Sequence, residues 1–271
     1  MNIIKYIKNK FSKPTLRYFN VNLVDHCNLN CKYCDHFSPV AKEFYIEIDK
    51  LEKDFKRISS LVNINAVGLM GGEPLLHPKL PEILEMSRKV LPKTYLTVYT
   101  NGILLPMQKE EFWLACKKNN ISIGISRYPI KLNLTKIFSQ GEKYGVKIFF
   151  YGGSLDKYKT MFKLALDLEG KQNAAEMSRI CWQNKGGCSF FGDGKLFQCT
   201  TAGHIHRLSD YFNLGLYVSE EDYIDIYKVK NGQEILDFYK KVIQFCKHFD
   251  IRNQKENLPF EISNKEVSEW V

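Results

Sequence analysis

No apolar run among the 271 residues reaches the roughly 18 consecutive positions that a membrane-crossing helix needs. Residues 1–13 also lack the apolar core and small-residue cleavage site of a secretory leader, so a cytoplasmic location is the expectation. Internal repeats and low-complexity tracts are missing, and a 44% hydrophobic, 25% charged make-up excludes wholesale disorder. Acidic residues are in short supply: 30 Asp and Glu face 39 Lys and Arg, a net charge of +9. That excess favours anionic partners, among them phosphate-bearing small molecules, nucleic acid and anionic lipid, but no recognised nucleic-acid module accompanies it. The eight cysteines are not spread like the disulfide framework of a small secreted domain. Three cluster early and four late, with Cys116 alone on an apparent helix, which suits reduced thiols used as ligands.

What is present is an alternation of strand and helix signals. Phe19, Val21 and Leu23 alternate with Asn20 and Asn22, predicting a first strand over 19–24. Ile48, Leu51, Phe55 and Ile58 predict a helix, 65–70 a strand, 83–90 a looser helix, and 95–99 a strand. The pattern continues with helix 110–118, strand 121–125, helix 134–144 bent near Gly141 and ended by Gly145, and strand 146–151. A sixth strand is expected within 161–168. Repeats of this kind imply a parallel α/β sheet with functional loops at the strand C-terminal ends. Ile3, Ile4, Ile7 and Phe11 suggest a basic amphipathic extension over 1–16, a leading helix packed on the main domain. Texture changes near 175, giving a core of 17–175, a second domain of 176–252 and a C-terminal tail of 253–271 that looks solvated over 253–257. Within the second domain, Gly192-Asp193-Gly194 marks a hairpin turn, and Ile235, Tyr239 and Val242 place Cys246 on the face of a final helix.

The informative stretch is Cys27-Asn28-Leu29-Asn30-Cys31-Lys32-Tyr33-Cys34, directly after the first strand. Three thiolates within eight residues can converge on one metal centre. Zinc is one occupant, with His26 or His36 as a fourth ligand, and an iron-sulfur cluster is the other. The Cys-x3-Cys-x2-Cys spacing, with an aromatic residue before the last cysteine, resembles the signature of the radical S-adenosylmethionine (SAM) family. The resemblance implies that Cys27, Cys31 and Cys34 are the catalytic ligands of a 4Fe-4S cluster whose fourth iron takes SAM. It also implies a partial (β/α)6 TIM-like barrel with a small C-terminal α+β twitch-like domain. Gly71-Gly72-Glu73-Pro74, after the second strand, looks like the family's segment for the methionine amino group, so Gly71, Gly72 and Glu73 are expected to contact SAM. Tyr33 is expected beside the adenine, and Asn101 in a recurring loop after the third strand. Ser126 and Arg127, and less directly Ser122, are expected near the ribose or carboxylate.

Cys181 and Cys199, with Gly194 between them, resemble the start of the auxiliary-cluster region of SPASM and twitch proteins. With Cys188 and Cys246 they number four thiols, enough to close a second 4Fe-4S cluster. The additional paired cysteines of a full SPASM domain are missing. The family implies reductive cleavage of SAM to a 5′-deoxyadenosyl radical, with electrons from a reducing protein such as flavodoxin or ferredoxin. The expected substrate is a small, phosphate- or nucleotide-linked, sugar-like molecule, with oxidation favoured and epimerisation an alternative. A peptide-modifying maturase and a zinc-stabilised binding protein are the competing readings.

Overall fold

The chain was analysed as a computed structural model that describes residues 13–186 and 188–271. The extension expected over residues 1–16 falls outside it as far as residue 12, and Thr15 and Leu16 already belong to the first strand. Five parallel strands, β1 (Thr15–Val24), β2 (Asn63–Gly71), β3 (Tyr95–Thr100), β4 (Ile121–Ile125) and β5 (Ile148–Phe150), pair in chain order. Helices α1 (Ile48–Leu61), α2 (Leu80–Val90), α3 (Glu110–Lys118) and α4 (Leu134–Tyr144) connect them. Each crossover returns the chain to the same sheet edge, so the loops after β1, β2 and β3 emerge side by side. In register, Val24 at the end of β1 lies opposite Gly71 at the end of β2.

Burial explains the elements. Leu51, Phe55, Ile58 and Leu61 of α1 bury one stripe against β1, where Phe19, Val21 and Leu23 are fully enclosed. Helix α4 runs unbroken through Gly141, where a Cβ would meet Ile148 Cδ1 at 2.7 Å, so the glycine allows close helix–sheet packing instead of a bend. Gly145 ends it in the left-handed region at φ 64°.

The remaining strands depart from a six-unit barrel. β6 (Met161–Lys163) does not join the main sheet; it pairs antiparallel with β10 (Lys255–Leu258) in a separate two-stranded sheet. The main sheet instead grows on the other side of β1, through β7 (Phe190–Gly192), β8 (Lys195–Phe197) and β9 (Tyr223–Asp225). The β7–β8 hairpin turns at Asp193-Gly194, both with positive φ, as the primed two-residue turn requires. The described chain therefore combines a mixed α/β core, whose partial sheet resembles a (β/α) barrel, with separate C-terminal elements.

Those elements are α5 (Ala174–Ile180), α6 (Trp182–Gly186), α7 (Thr200–Phe212) and α8 (Gly232–Phe238). They surround a second apolar cluster that includes Phe37, Phe197, Leu208, Phe245 and Trp270. The final helix expected to carry Cys246 ends at Phe238; Cys246 stands on a short 3-10 turn, Gln244–His248, and Val242 is exposed. The stretch 253–257 is largely exposed, as expected, but it carries the start of β10 (Lys255–Leu258), and the chain beyond it packs, with Trp270 fully buried.

Candidate active site

The first-strand exit brings Cys27, Cys31 and Cys34 to the wall of one cavity of about 450 Å³. Gly71, Gly72, Asn101 and Ser126 line the same cavity from the neighbouring strand ends. The two glycines are dictated by close approach. A Cβ on Gly71 would stand 2.2 Å from the Val24 carbonyl oxygen, and one on Gly72 would stand 2.0 Å from that of His26. With no side chain in the way, the Gly72 amide donates to the Val24 carbonyl at 2.9 Å and the Glu73 amide to that of His26 at 3.1 Å. The glycine turn thus locks the start of the cysteine loop.

Glu73 is fully buried and does not line the cavity. Its Oε1 accepts from Thr100 Oγ1 at 2.6 Å and Leu75 N at 3.1 Å, and its Oε2 accepts from Asn101 N at 2.9 Å. Burial outweighs these three donors and pushes the carboxyl up to about 7. Its work in this arrangement is to pin Thr100 and Asn101, with one lone pair left over. Asn101 in turn directs its amide at Asn28 Oδ1, 2.7 Å away, and at Cys27 Sγ, 3.8 Å away.

The cysteine loop is bent sharply. Asn30, Tyr33 and Phe37 all have positive φ, at 45°, 65° and 55°, a conformation that asparagine tolerates but that tyrosine and phenylalanine adopt only where the surroundings impose it. Tyr33 packs with Cys27 and Cys34 in a small apolar cluster under Lys32, and it is not among the cavity-lining residues. Arg127 also turns away: its guanidinium donates to the carbonyls of Tyr128 and Ile130 and lies 4.8 Å from the Tyr158 ring centroid. Ser122 sits within β4 opposite Thr97 and does not line the cavity.

Several lining residues carry no motif and escaped the sequence reading. Lys159, in the loop after β5, lines the cavity with Tyr128, to whose hydroxyl its ammonium donates at 3.3 Å. Asn20, Tyr99 and Tyr151 add polar atoms, and Asp35 and His36 follow the last cysteine. Room for Tyr99 comes from Gly68 and Gly124, where a Cβ would approach its ring at 3.0 and 2.7 Å. Alternation along β1 and β3 signals that these side chains leave one sheet face, but not which cavity they enter.

The thiol chemistry suits ligands that a metal must deprotonate. Burial, then the charge of Glu73, pushes Cys27 up to about 12. Burial and the neighbouring thiols raise Cys31 as well, and burial followed by Asp35 raises Cys34. Lys159 opposes the rise at Cys31 and Cys34. Among the described residues, no group of three or more His, Cys, Asp or Glu converges tightly enough to hold a metal ion. A four-iron cluster distributes its thiolates over separate irons, so three cysteines spread around one cavity fit that donor set better than a closed zinc site.

Of the late cysteines, Cys181, Cys199 and Cys246 line one apolar void, whereas Cys188 lines the large cavity with the first three. Cys199 is the N-cap of α7, and its sulfur accepts from the Ala202 amide at 3.4 Å, but burial outweighs that donor and raises the thiol. Cys116 is a fully buried core residue of α3, as expected.

Residues 21–133 match the family model of the Radical SAM superfamily. The GTP 3′,8-cyclase of Alkaliphilus oremlandii is 32% identical over 120 residues, covering 43% of this chain and 37% of that protein. That of Clostridium acetobutylicum is 35% identical over 111 residues, covering 39% and 34%. The chain thus spans about a third of the length of these curated relatives. Among solved structures, BtrN in complex with AdoMet and 2-DOIA superposes with a TM-score of 0.52 at 15% identity, covering 86% of this chain and 92% of BtrN. That likeness in fold extends well past the matched domain into the C-terminal elements. The cysteine spacing and the family match together identify residues 21–133 as a Radical SAM superfamily domain, followed by C-terminal elements whose fold is like that of BtrN.

Proposed function

We propose that the chain is a radical SAM enzyme acting on a small hydroxylated molecule that carries a negative charge. The observation that carries the reading is the joint lining of one cavity by Cys27, Cys31, Cys34, Gly71, Gly72 and Ser126. When bound, a 4Fe-4S cluster and SAM supply one-electron cleavage to methionine and a 5′-deoxyadenosyl radical that removes a hydrogen atom from a substrate carbon. Cys27, Cys31 and Cys34 would hold the cluster. Gly71 and Gly72 offer backbone groups at the methionine end, and Asn101 fixes the rim through Cys27 and Asn28. Lys159 is better situated than Arg127 for the SAM carboxylate, because it lines the cavity whereas Arg127 is engaged by backbone carbonyls. Tyr33 is left to pack the cluster loop, and Glu73 acts through Thr100 and Asn101.

Substrate class is argued from the cavity. Asn20, Tyr99, Tyr151 and Thr200 supply hydrogen-bonding groups for hydroxyls, Lys159 a positive charge, and Trp182 an aromatic wall. A nucleotide- or phosphate-linked sugar fits that lining, and the relatives' name, GTP 3′,8-cyclase, specifies a nucleotide for those proteins.

Cys181, Cys188, Cys199 and Cys246 are the proposed ligands of a second 4Fe-4S cluster, within a second domain over 176–252. The void between Cys181, Cys199 and Cys246 measures about 20 Å³, too small for a cluster with the side chains as they stand. Cys188, facing the large cavity, would stand between the two centres. Such a cluster would supply an electron acceptor, the chemistry that a net oxidation needs. Anaerobic reconstitution tests the metal assignment: two clusters predict about eight irons and eight labile sulfides per chain, whereas zinc without sulfide contradicts it. Deuterium transfer from labelled sugar phosphates or nucleotides into 5′-deoxyadenosine tests the substrate class. Transfer from a peptide instead would overturn that part.

A further inference from the structure

Three positive-φ residues in eleven positions of the cysteine loop, Asn30, Tyr33 and Phe37, call for something that holds them. Asparagine adopts this region readily, but at Tyr33 and Phe37 it is unfavourable for side chains of this size, so neighbouring contacts must impose it. We propose that residues 261–270 form a strap that fixes the geometry of the Cys27–Cys34 loop, with Trp270 as its positioning residue. This inference rests on the reading of Cys27, Cys31 and Cys34 as cluster ligands.

The strap meets the loop at each of the three positions. At Asn30, its carbonyl accepts from the Ser263 amide at 2.9 Å. Tyr33 is bracketed: the Lys32 amide donates to the Glu261 carbonyl at 2.9 Å, and the Cys34 carbonyl accepts from Trp270 Nε1, also at 2.9 Å. Between them, Cys31 and Ile262 form an antiparallel bridge. Phe37 lies with its ring centroid 6.0 Å from that of Trp270, and its own amide supplies the second hydrogen bond to the Cys34 carbonyl at 3.0 Å. Both lone pairs of that carbonyl are therefore used, one by the loop and one by the strap.

The strap is itself built to hold a shape. Glu269 is buried, and its carboxylate accepts from Ser263 Oγ and Asn264 N, each at 2.6 Å. Trp270 is fully enclosed against Phe37 and Phe212, and its carbonyl accepts from the Leu166 amide at 2.8 Å. One residue thereby connects a cluster ligand's backbone to α7 through its indole and to the segment after β6 through its carbonyl. An N–H aimed at the Cys34 carbonyl both orients the peptide next to the ligand and favours added negative charge nearby. Loss of that donor should make the first cluster harder to reduce.

Trp270→Phe removes the N–H while keeping an aromatic ring. In the anaerobically reconstituted full chain, iron content should stay at the wild-type level. The reduction potential of the first cluster should fall, its SAM-induced change in EPR spectrum should alter, and SAM affinity should weaken about two- to tenfold. Signals of the late cluster should not move. If Trp270→Phe fails to fold, Ser263→Pro, which deletes the amide donor to Asn30 together with the Oγ bond to Glu269 and keeps the Trp270 indole, should give the same first-cluster changes. A variant whose first-cluster potential, spectrum and SAM affinity equal those of wild type overturns the strap while leaving the ligand assignment standing. Wild-type protein that takes up no iron and sulfide overturns both.

Discussion

Replacing Glu73 by glutamine keeps the shape of the side chain and removes one acceptor, which makes it a sharp test of how the β2 and β3 loops are held. The carboxylate receives three donors, Thr100 Oγ1, Leu75 N and Asn101 N, at 2.6, 3.1 and 2.9 Å. An amide has only one oxygen, so in either orientation at least one buried backbone N–H faces an NH2 group. An unsatisfied buried donor costs about 1–3 kcal/mol. The cost should depend on pH in a definite direction. Burial raises the folded-state carboxyl from its ordinary 4.5 to about 7. A raised pKa means that the contribution to stability is complete below the unfolded value and is lost as pH climbs through the folded one. At about 1.4 kcal/mol per unit, the wild type gives up about 3 kcal/mol between pH 4.5 and 7. Glutamine does not titrate, so the gap between the two proteins should close or reverse from pH 5 to pH 8. Urea unfolding of the two cofactor-free chains at both pH values measures it. A gap that widens with pH would refute the reasoning, since it would mean that the three donors outweigh burial and hold the carboxyl below 4.5.

The other predictions concern the cavity wall. Gly72→Ala places a methyl group 2.0 Å from the His26 carbonyl oxygen, a backbone atom that cannot step aside. It should cost about 1–3 kcal/mol or more and reduce iron uptake at the first site while sparing the late one, as elemental analysis and EPR would report. Lys159→Met keeps the aliphatic stem and should weaken SAM binding about tenfold or more, while Arg127→Met should change it little. Equilibrium binding that shows the reverse order would return the carboxylate contact to Arg127.

Much of the sheet was legible because burial imprints a period on the sequence. Strand 121–125 and helices 110–118 and 134–144 are found where the apolar spacing puts them. The Asp193-Gly194 turn is written in local chemistry. By contrast, α7 buries Thr200, Thr201, Gly203, His204 and Ser209 alongside Ala202, Ile205 and Leu208, so polar and small residues blur its apolar stripe. The strap was invisible for a different reason. Its contacts are backbone hydrogen bonds and one indole N–H reaching across 236 positions of sequence, and such pairings leave no local pattern. β6 read correctly as extended, but its partner, β10, lies about ninety residues away in a stretch of charged residues that looked solvated.

The site shows the same division. Cysteine spacing and the glycine turn lie on two neighbouring strand ends, and the fold unites them because Val24 and Gly71 are register partners. Whether Glu73 and Arg127 point into the cavity is decided by side-chain hydrogen bonds to Thr100, Tyr128 and Ile130, which no motif encodes. Lys159 arrives from a loop with no recognisable signature and becomes a cavity residue through the path of the chain after β5.

The central claim is that Cys27, Cys31 and Cys34 carry the chemistry and the late cysteines do not initiate it. Its most direct test is the yield of 5′-deoxyadenosine from SAM under anaerobic reducing conditions, compared between wild type, Cys31→Ala and Cys199→Ala. Wild type and Cys199→Ala should both form it, and Cys31→Ala should form none. Continued formation by Cys31→Ala, or none by a wild-type chain loaded with iron and sulfide, would contradict the account.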